Sequence, residues 1–231
     1  MSRSHRVVQA GHVYHVLNRA CERRAIFTKP CEYGALLRLF ELGCVRVPLR
    51  ILAYCIMPNH WHLLVWPAAD RAISAYLHWV TTLHSLQYRR SNGAVGYGHV
   101  YQDRFHCFPI ETTAYYFQAM RYIEANALRS GLVIRAEDWP WSSAFERSHG
   151  QNLTVPGPLP LPTDWLTFVN QRPEIDELTN LRTSVGTDRP YGSIDWAVRT
   201  AITHNVGHKL RPPGRPPLCG TPFENWKMRL K

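Results

Sequence analysis

Along the first 150 residues the apolar positions change their period several times, and each change marks an element. From His12 to Leu17 the pattern is that of a strand, and it runs into the basic segment Asn18-Arg19-Ala20-Cys21-Glu22-Arg23-Arg24. Glu32 to Leu42 has helical periodicity. Ile51 to Met57 and His60 to Trp66 are apolar runs divided by Pro58-Asn59, a turn signal, so the pair predicts a hairpin. Both faces of these runs are apolar, which predicts central strands covered on each side. Ile73 to Arg90 reads as a long helix, Arg104 to Ile110 as another short strand, and Thr113 to Arg129 as a helix closed by Gly131. Strands with intervening helices and one hairpin predict an α+β sandwich of the ferredoxin-like kind.

Proline use divides the chain. Six of the 17 prolines precede residue 150 and eleven follow it. Residues 1–148 are therefore expected to form the compact domain. Residues 149–231 are expected to be a Pro-rich linker around Pro156, Pro158, Pro160 and Pro162, one short helix from Ile194 to Ile202, and a basic tail containing Arg211-Pro-Pro-Gly-Arg215-Pro.

A formal charge of +10 on 231 residues favours a polyanionic partner, nucleic acid before an anionic membrane. No apolar run approaches the ~20 residues that span a bilayer, and the opening residues lack an apolar export signal. A cytoplasmic protein with reduced cysteines is expected. The six cysteines have irregular spacings and no C-x-x-C pair, unlike a zinc knuckle or a disulfide framework.

Two features carry chemistry. His60-Trp61-His62 opens a strand, so the two imidazoles share a face and make a plausible half-site for a divalent metal. Taken alone, two polar residues at a strand end more simply sit near solvent. On the helix from Thr113, Tyr116, Met120, Ile123 and Ala127 form the core stripe, while Tyr115, Ala119, Tyr122 and Asn126 form a second stripe roughly 100° around. Tyr122 and Asn126 are one turn apart and could face the histidines, although a helical tyrosine usually packs and an asparagine usually caps. Joined, the four residues make a coherent set: a phenol nucleophile, and two imidazoles with an amide oxygen for a metal that polarises a phosphodiester.

Met57-Pro-Asn-His60-Trp-His62-Leu-Leu-Val65 resembles the His-hydrophobic-His motif of the single-tyrosine HUH transposases, and especially the REP-associated tyrosine transposases, which are IS200/IS605-like. Tyr14-His-Val-Leu-Asn18-Arg19 with Ile26-Phe27, Gly98-His-Val-Tyr-Gln-Asp-Arg104-Phe105, Arg121-Tyr122-Ile-Glu-Ala-Asn126-Ala-Leu-Arg129 and Trp139-Pro-Trp141-Ser-Ser143 agree in order and spacing. The likeness covers roughly residues 7–147, and a fainter one reaches Trp196 and the tail. It implies a ferredoxin-like antiparallel sheet with helices packed on it. It also implies His60, His62 and Asn126 as ligands of Mg²⁺ or Mn²⁺, and Tyr122 as the nucleophile. The implied activity is that of a transposase, a metal-dependent endonuclease that cuts and rejoins single-stranded DNA near hairpins of REP type through a 5′-phosphotyrosine. Such a protein would be nucleoid-associated and a monomer or homodimer. Many relatives carry proline after the asparagine, where this chain has Ala127; alanine is expected to spare the helix. Arg19, Arg23, Arg24, Arg89, Arg90, Arg104 and Arg121 become candidates for phosphate contacts, and Tyr101 and Phe105 for base stacking, although Phe105 also suits the core. The alternatives are a hairpin-binding module without physiological cleavage, and an RNA-processing enzyme or metal hydrolase, which gives Tyr122 no role.

Overall fold

The computed structural model describes residues 8–93, 98–150 and 153–210, so the expected basic tail, with Arg215, lies outside the described residues. In chain order the strands are β1 (Val13–Arg19), β2 (Leu49–Met57), β3 (His60–Pro67) and β4 (His106–Ile110). Helix α1 (Pro30–Arg46) joins β1 to β2, and α2 (Ala72–Ser91) joins β3 to β4. All strand pairs are antiparallel in the order β2-β3-β1-β4, so the hairpin and two helical connections give the expected ferredoxin-like sheet. No described helix is long and apolar enough to cross a membrane.

The two-residue alternation gives the sheet two different faces. Tyr14, Val16, Tyr54, Ile56, Trp61, Leu63 and Val65 pack beneath α1 and α2. Where these two helices meet, a Cβ on Gly43 would lie 2.5 Å from the Tyr76 ring, so only glycine admits the approach. The other face carries Val13, His15, Leu17, Cys55, His60, His62, Leu64 and Phe108, which are cross-strand neighbours by register. Helices α3 (Ala114–Glu124) and α4 (Asn126–Arg129) cover it.

Two expectations are corrected. β2 is not central but an edge, and its apolarity has another cause: residues from later in the chain close that edge. Ile56 N–H donates to the Trp141 carbonyl at 2.9 Å, Tyr54 N–H to Ser143 Oγ at 3.0 Å, and Val155 N–H to the Ile51 carbonyl at 3.0 Å. This blunts the strand as a template for pairing. The helix expected over Thr113 to Arg129 breaks at Ala125. Ala125, with φ −82° and ψ 10°, ends α3 and precedes α4. Alanine therefore does not keep the helix continuous.

The chain beyond residue 148 also packs more than its prolines suggest. After α5 (Ser143–His149) come α6 (Trp165–Asn170), α7 (Ile175–Thr187) and α8 (Ile194–Thr203), three helices where one was expected. Trp165, Val169 and Leu181 are buried in the core beneath α3.

The Glu124 carboxylate joins these parts. It is fully buried, yet it accepts from Ser143 Oγ at 2.6 Å, Arg147 Nε at 2.9 Å and Trp165 Nε1 at 2.7 Å. Arg147 also donates to the Leu52 carbonyl at 2.8 Å. A buried carboxylate is tolerated when its lone pairs are satisfied in this way, and removing it strands its partners. Glu124→Ala should lower unfolding free energy by about 3–5 kcal/mol. Urea denaturation checks this, and a loss under about 1 kcal/mol would show that the network is dispensable.

Candidate active site

The candidate residues arrive from two elements on one face of the sheet. His60 and His62 begin β3, with ring centroids 5.0 Å apart, and α3 brings the Tyr122 ring to 5.9 Å from that of His62, edge to face. His60 and Tyr122 are partly exposed, whereas His62 and Asn126 are buried. Asn126, just past the break at Ala125, has an amide nitrogen that is buried without a hydrogen-bond partner among the described residues.

A third histidine, not singled out from the sequence, completes the floor. His15 lies two residues from Leu17, which faces His62 in the register, so its side chain emerges on the same face. Its Nε2 is 2.8 Å from His62 Nδ1, and its ring is 6.0 Å from that of Tyr122. The alternation of β1 places His15 on a face; only its contact with a residue 47 positions away shows what it touches.

The donor set fits a divalent metal. Nδ1 of His60 donates to Asn59 Oδ1 at 2.6 Å, which leaves Nε2 as a lone pair. Nδ1 of His62 is likewise engaged, by His15. Both imidazoles are held neutral, as ligation requires. Burial, then the charges of Arg19 and Arg129, brings His60 down to about 4. Burial and the neighbouring His15 and His60 hold His62 well below its ordinary value. Among the described residues no group of three His, Cys, Asp or Glu side chains is arranged to hold a metal. A third protein ligand would have to be of another type, as the amide of Asn126 is.

Arg129 also enters the site, from the end of α4. Its guanidinium lies 4.0 Å over the Tyr122 ring and donates to the Tyr122 carbonyl at 2.7 Å.

The other arginines separate into groups. Arg19 ends β1 opposite His60, and Arg23 and Arg24 are exposed just beyond it. Arg89 and Arg104 line a cavity of about 800 Å³ on the α2 side of the sheet, together with Asn18, Arg71, His78 and Phe105. Arg90 is exposed at the end of α2. Arg121 is a correction: its side chain is buried, bonded to Glu177 at 2.5 Å and 4.2 Å from the Phe168 ring, so it is not free to meet phosphate. Tyr101, a stacking candidate, is buried, with its hydroxyl between Trp61 Nε1 and His84 Nδ1.

The chain matches the family model described as "Transposase IS200 like" over residues 8–126. It is similar to a solved structure of a REP-associated tyrosine transposase bound to a REP hairpin. That likeness has 21% identity and a TM-score of 0.53, and covers 71% of this chain and 96% of that one. A putative transposase from Deinococcus radiodurans is more distant, with 15% identity, a TM-score of 0.38, and 54% of this chain and 96% of its own covered. No curated protein matches. At these identities the solved structures speak to the fold.

The buried imidazoles make stability depend on pH. Burial brings His15 down to about 3 and His84 to about 4, beside His60 at about 4. Between those values and the ordinary ~6.5 the unfolded chain binds protons that the folded chain refuses, so stability falls as pH falls. Unfolding free energies from urea titrations should therefore drop steadily from pH 6.5 to 5, above the range where carboxylates titrate, by up to about 1.4 kcal/mol per pH unit for each such group. A free energy unchanged over that interval would show that the imidazoles take up protons in the folded state.

Proposed function

The chain belongs to the IS200-like transposase family, and we propose that it cuts and rejoins single-stranded DNA beside a hairpin through a covalent 5′-phosphotyrosine at Tyr122. The observation that carries this reading is the approach of the partly exposed Tyr122 ring to His62, on the sheet face that His60 shares.

His60, His62 and Asn126 would hold Mg²⁺ or Mn²⁺. Such an ion, when bound, withdraws charge from the phosphate oxygens. The protein's own residues supply the remainder. In the cutting step Tyr122 Oη bonds to phosphorus, the bond from phosphorus to the 3′ oxygen breaks, and that oxygen takes a proton in place of the one the phenol gives up. The phosphotyrosine keeps the energy of the broken ester, so a 3′-hydroxyl can attack it and restore the strand. His15 keeps the His62 ring oriented, and the apolar Phe108 beside it limits water. Arg19, Arg23, Arg24, Arg89, Arg90 and Arg104 would meet backbone phosphates, which position the strand without reading its sequence.

The test uses an end-labelled pool of single-stranded hairpins on a denaturing gel, with Mn²⁺ or with EDTA. Wild type with Mn²⁺ should give a protease-sensitive protein–DNA adduct and a nick. Tyr122→Phe should abolish both, by at least about a thousandfold. His60→Ala should lose at least about a hundredfold, more than a residue that only orients a ligand. Nicking that survives Tyr122→Phe would overturn the assignment of the nucleophile. Hairpin binding with no adduct in any condition would make the protein a binding module.

A further inference from the structure

Among the described residues, two arginines packed around α3 are held by carboxylates. Arg121 meets Glu177, and Arg147 meets Glu124. Arg129 is half-buried, and among the described residues it forms no ion pair with a carboxylate. A charge of its own sign, that of Arg182 on α7, also acts on it. A guanidinium does not escape this cost by losing its proton, because its ordinary pKa is too high. Burial does pull the Arg129 group downward, and attraction to Tyr122 works against that pull. An unpaired buried charge is expensive, and it persists where something else requires it.

Its placement says what that is. Helical side chains lean toward the N-terminus of their helix, and Arg129 reaches back two turns to lie over the Tyr122 ring. The bond from Nη1 to the Tyr122 carbonyl fixes the plane of the group and leaves other N–H donors unused. A fixed guanidinium among neutral imidazoles and a phenol, with no carboxylate partner, is a site for an anion.

We propose that Arg129 binds the non-bridging oxygens of the scissile phosphate and is a catalytic residue in its own right. The inference rests on the reading of Tyr122 as the nucleophile. As Oη approaches phosphorus, the phosphate group gains negative charge, and a guanidinium already desolvated and aligned stabilises that charge without reorganising.

Two measurements test this. In the first, Arg129→Met keeps the aliphatic stem and removes the charge, while Arg129→Lys keeps the charge and removes the fork. Adduct formation on the hairpin pool should slow at least about a hundredfold in Arg129→Met, with hairpin affinity changed by less than about threefold. Arg129→Lys should fall between Arg129→Met and wild type. Low-millimolar guanidinium ion should restore part of the rate to Arg129→Met, which a packing defect would not permit. Adduct formation at the wild-type rate in Arg129→Met overturns the proposal.

The second measurement needs no cleavage. Inorganic phosphate is titrated into Tyr122→Phe while the arginine Nε–H resonances are followed by NMR. The resonance missing from Arg129→Lys should move and saturate; if it stays still while others move, the proposal falls. If wild type forms no adduct but that resonance responds, the nucleophile assignment has failed and the anion site stands.

Discussion

The position of α3 on the sheet depends on one carboxylate. Glu124 has no exposed surface, and its hydrogen bonds reach α5 through Ser143 and Arg147 and α6 through Trp165. Ser143 accepts in turn from the Tyr54 amide, and Arg147 reaches Leu52, so the same carboxylate is tied to the edge of β2. Apolar side chains replacing Glu124 and its polar partners together could fill the space at similar free energy, because desolvating a charge offsets much of what its partners return. What apolar packing would not supply is direction. A carboxylate with three fixed donors sets the rotation of α3 about its axis. Tyr122, two residues before it, takes its aim at His62 and His15 from that rotation.

The parts legible in the sequence were those governed by local period. β1, the β2–β3 hairpin, α1 and α2 follow from alternating or helical spacing, and the shared face of His60 and His62 follows from the same rule. What stayed hidden depends on contacts between distant residues. Arg121 reads as a surface cation until Glu177, 56 residues later, is seen beside it on α7. That helix was itself overlooked, since among its residues only Leu181 and Ser184 are buried and its apolar signal is thin. The prolines after residue 150 suggested a spacer. Extended chain can still pair with a strand edge, as Val155 does with Ile51.

β1 separates two chemically distinct regions. Asn18 lines the cavity beside α2, while its neighbour Arg19 faces His60 on the other side of the sheet. A polyanion lying in the cavity and reaching the histidines would turn around the end of this strand. There Arg23 and Arg24 stand exposed after a tight turn in which Glu22 and Arg23 both have left-handed backbone angles, φ 57° and 54°. The alternation that builds the core thus also sets the route open to a ligand.

The place of Ala127 at the start of α4 bears on how freely this position can drift. It lies in the first turn of α4, where an imino acid needs no ladder partner and its fixed φ suits the helix. Proline in its place would remove nothing from the α4 ladder. Substitution between the two residues is therefore close to silent for the backbone, and a proline-to-alanine difference here says little about whether a copy of the gene has decayed.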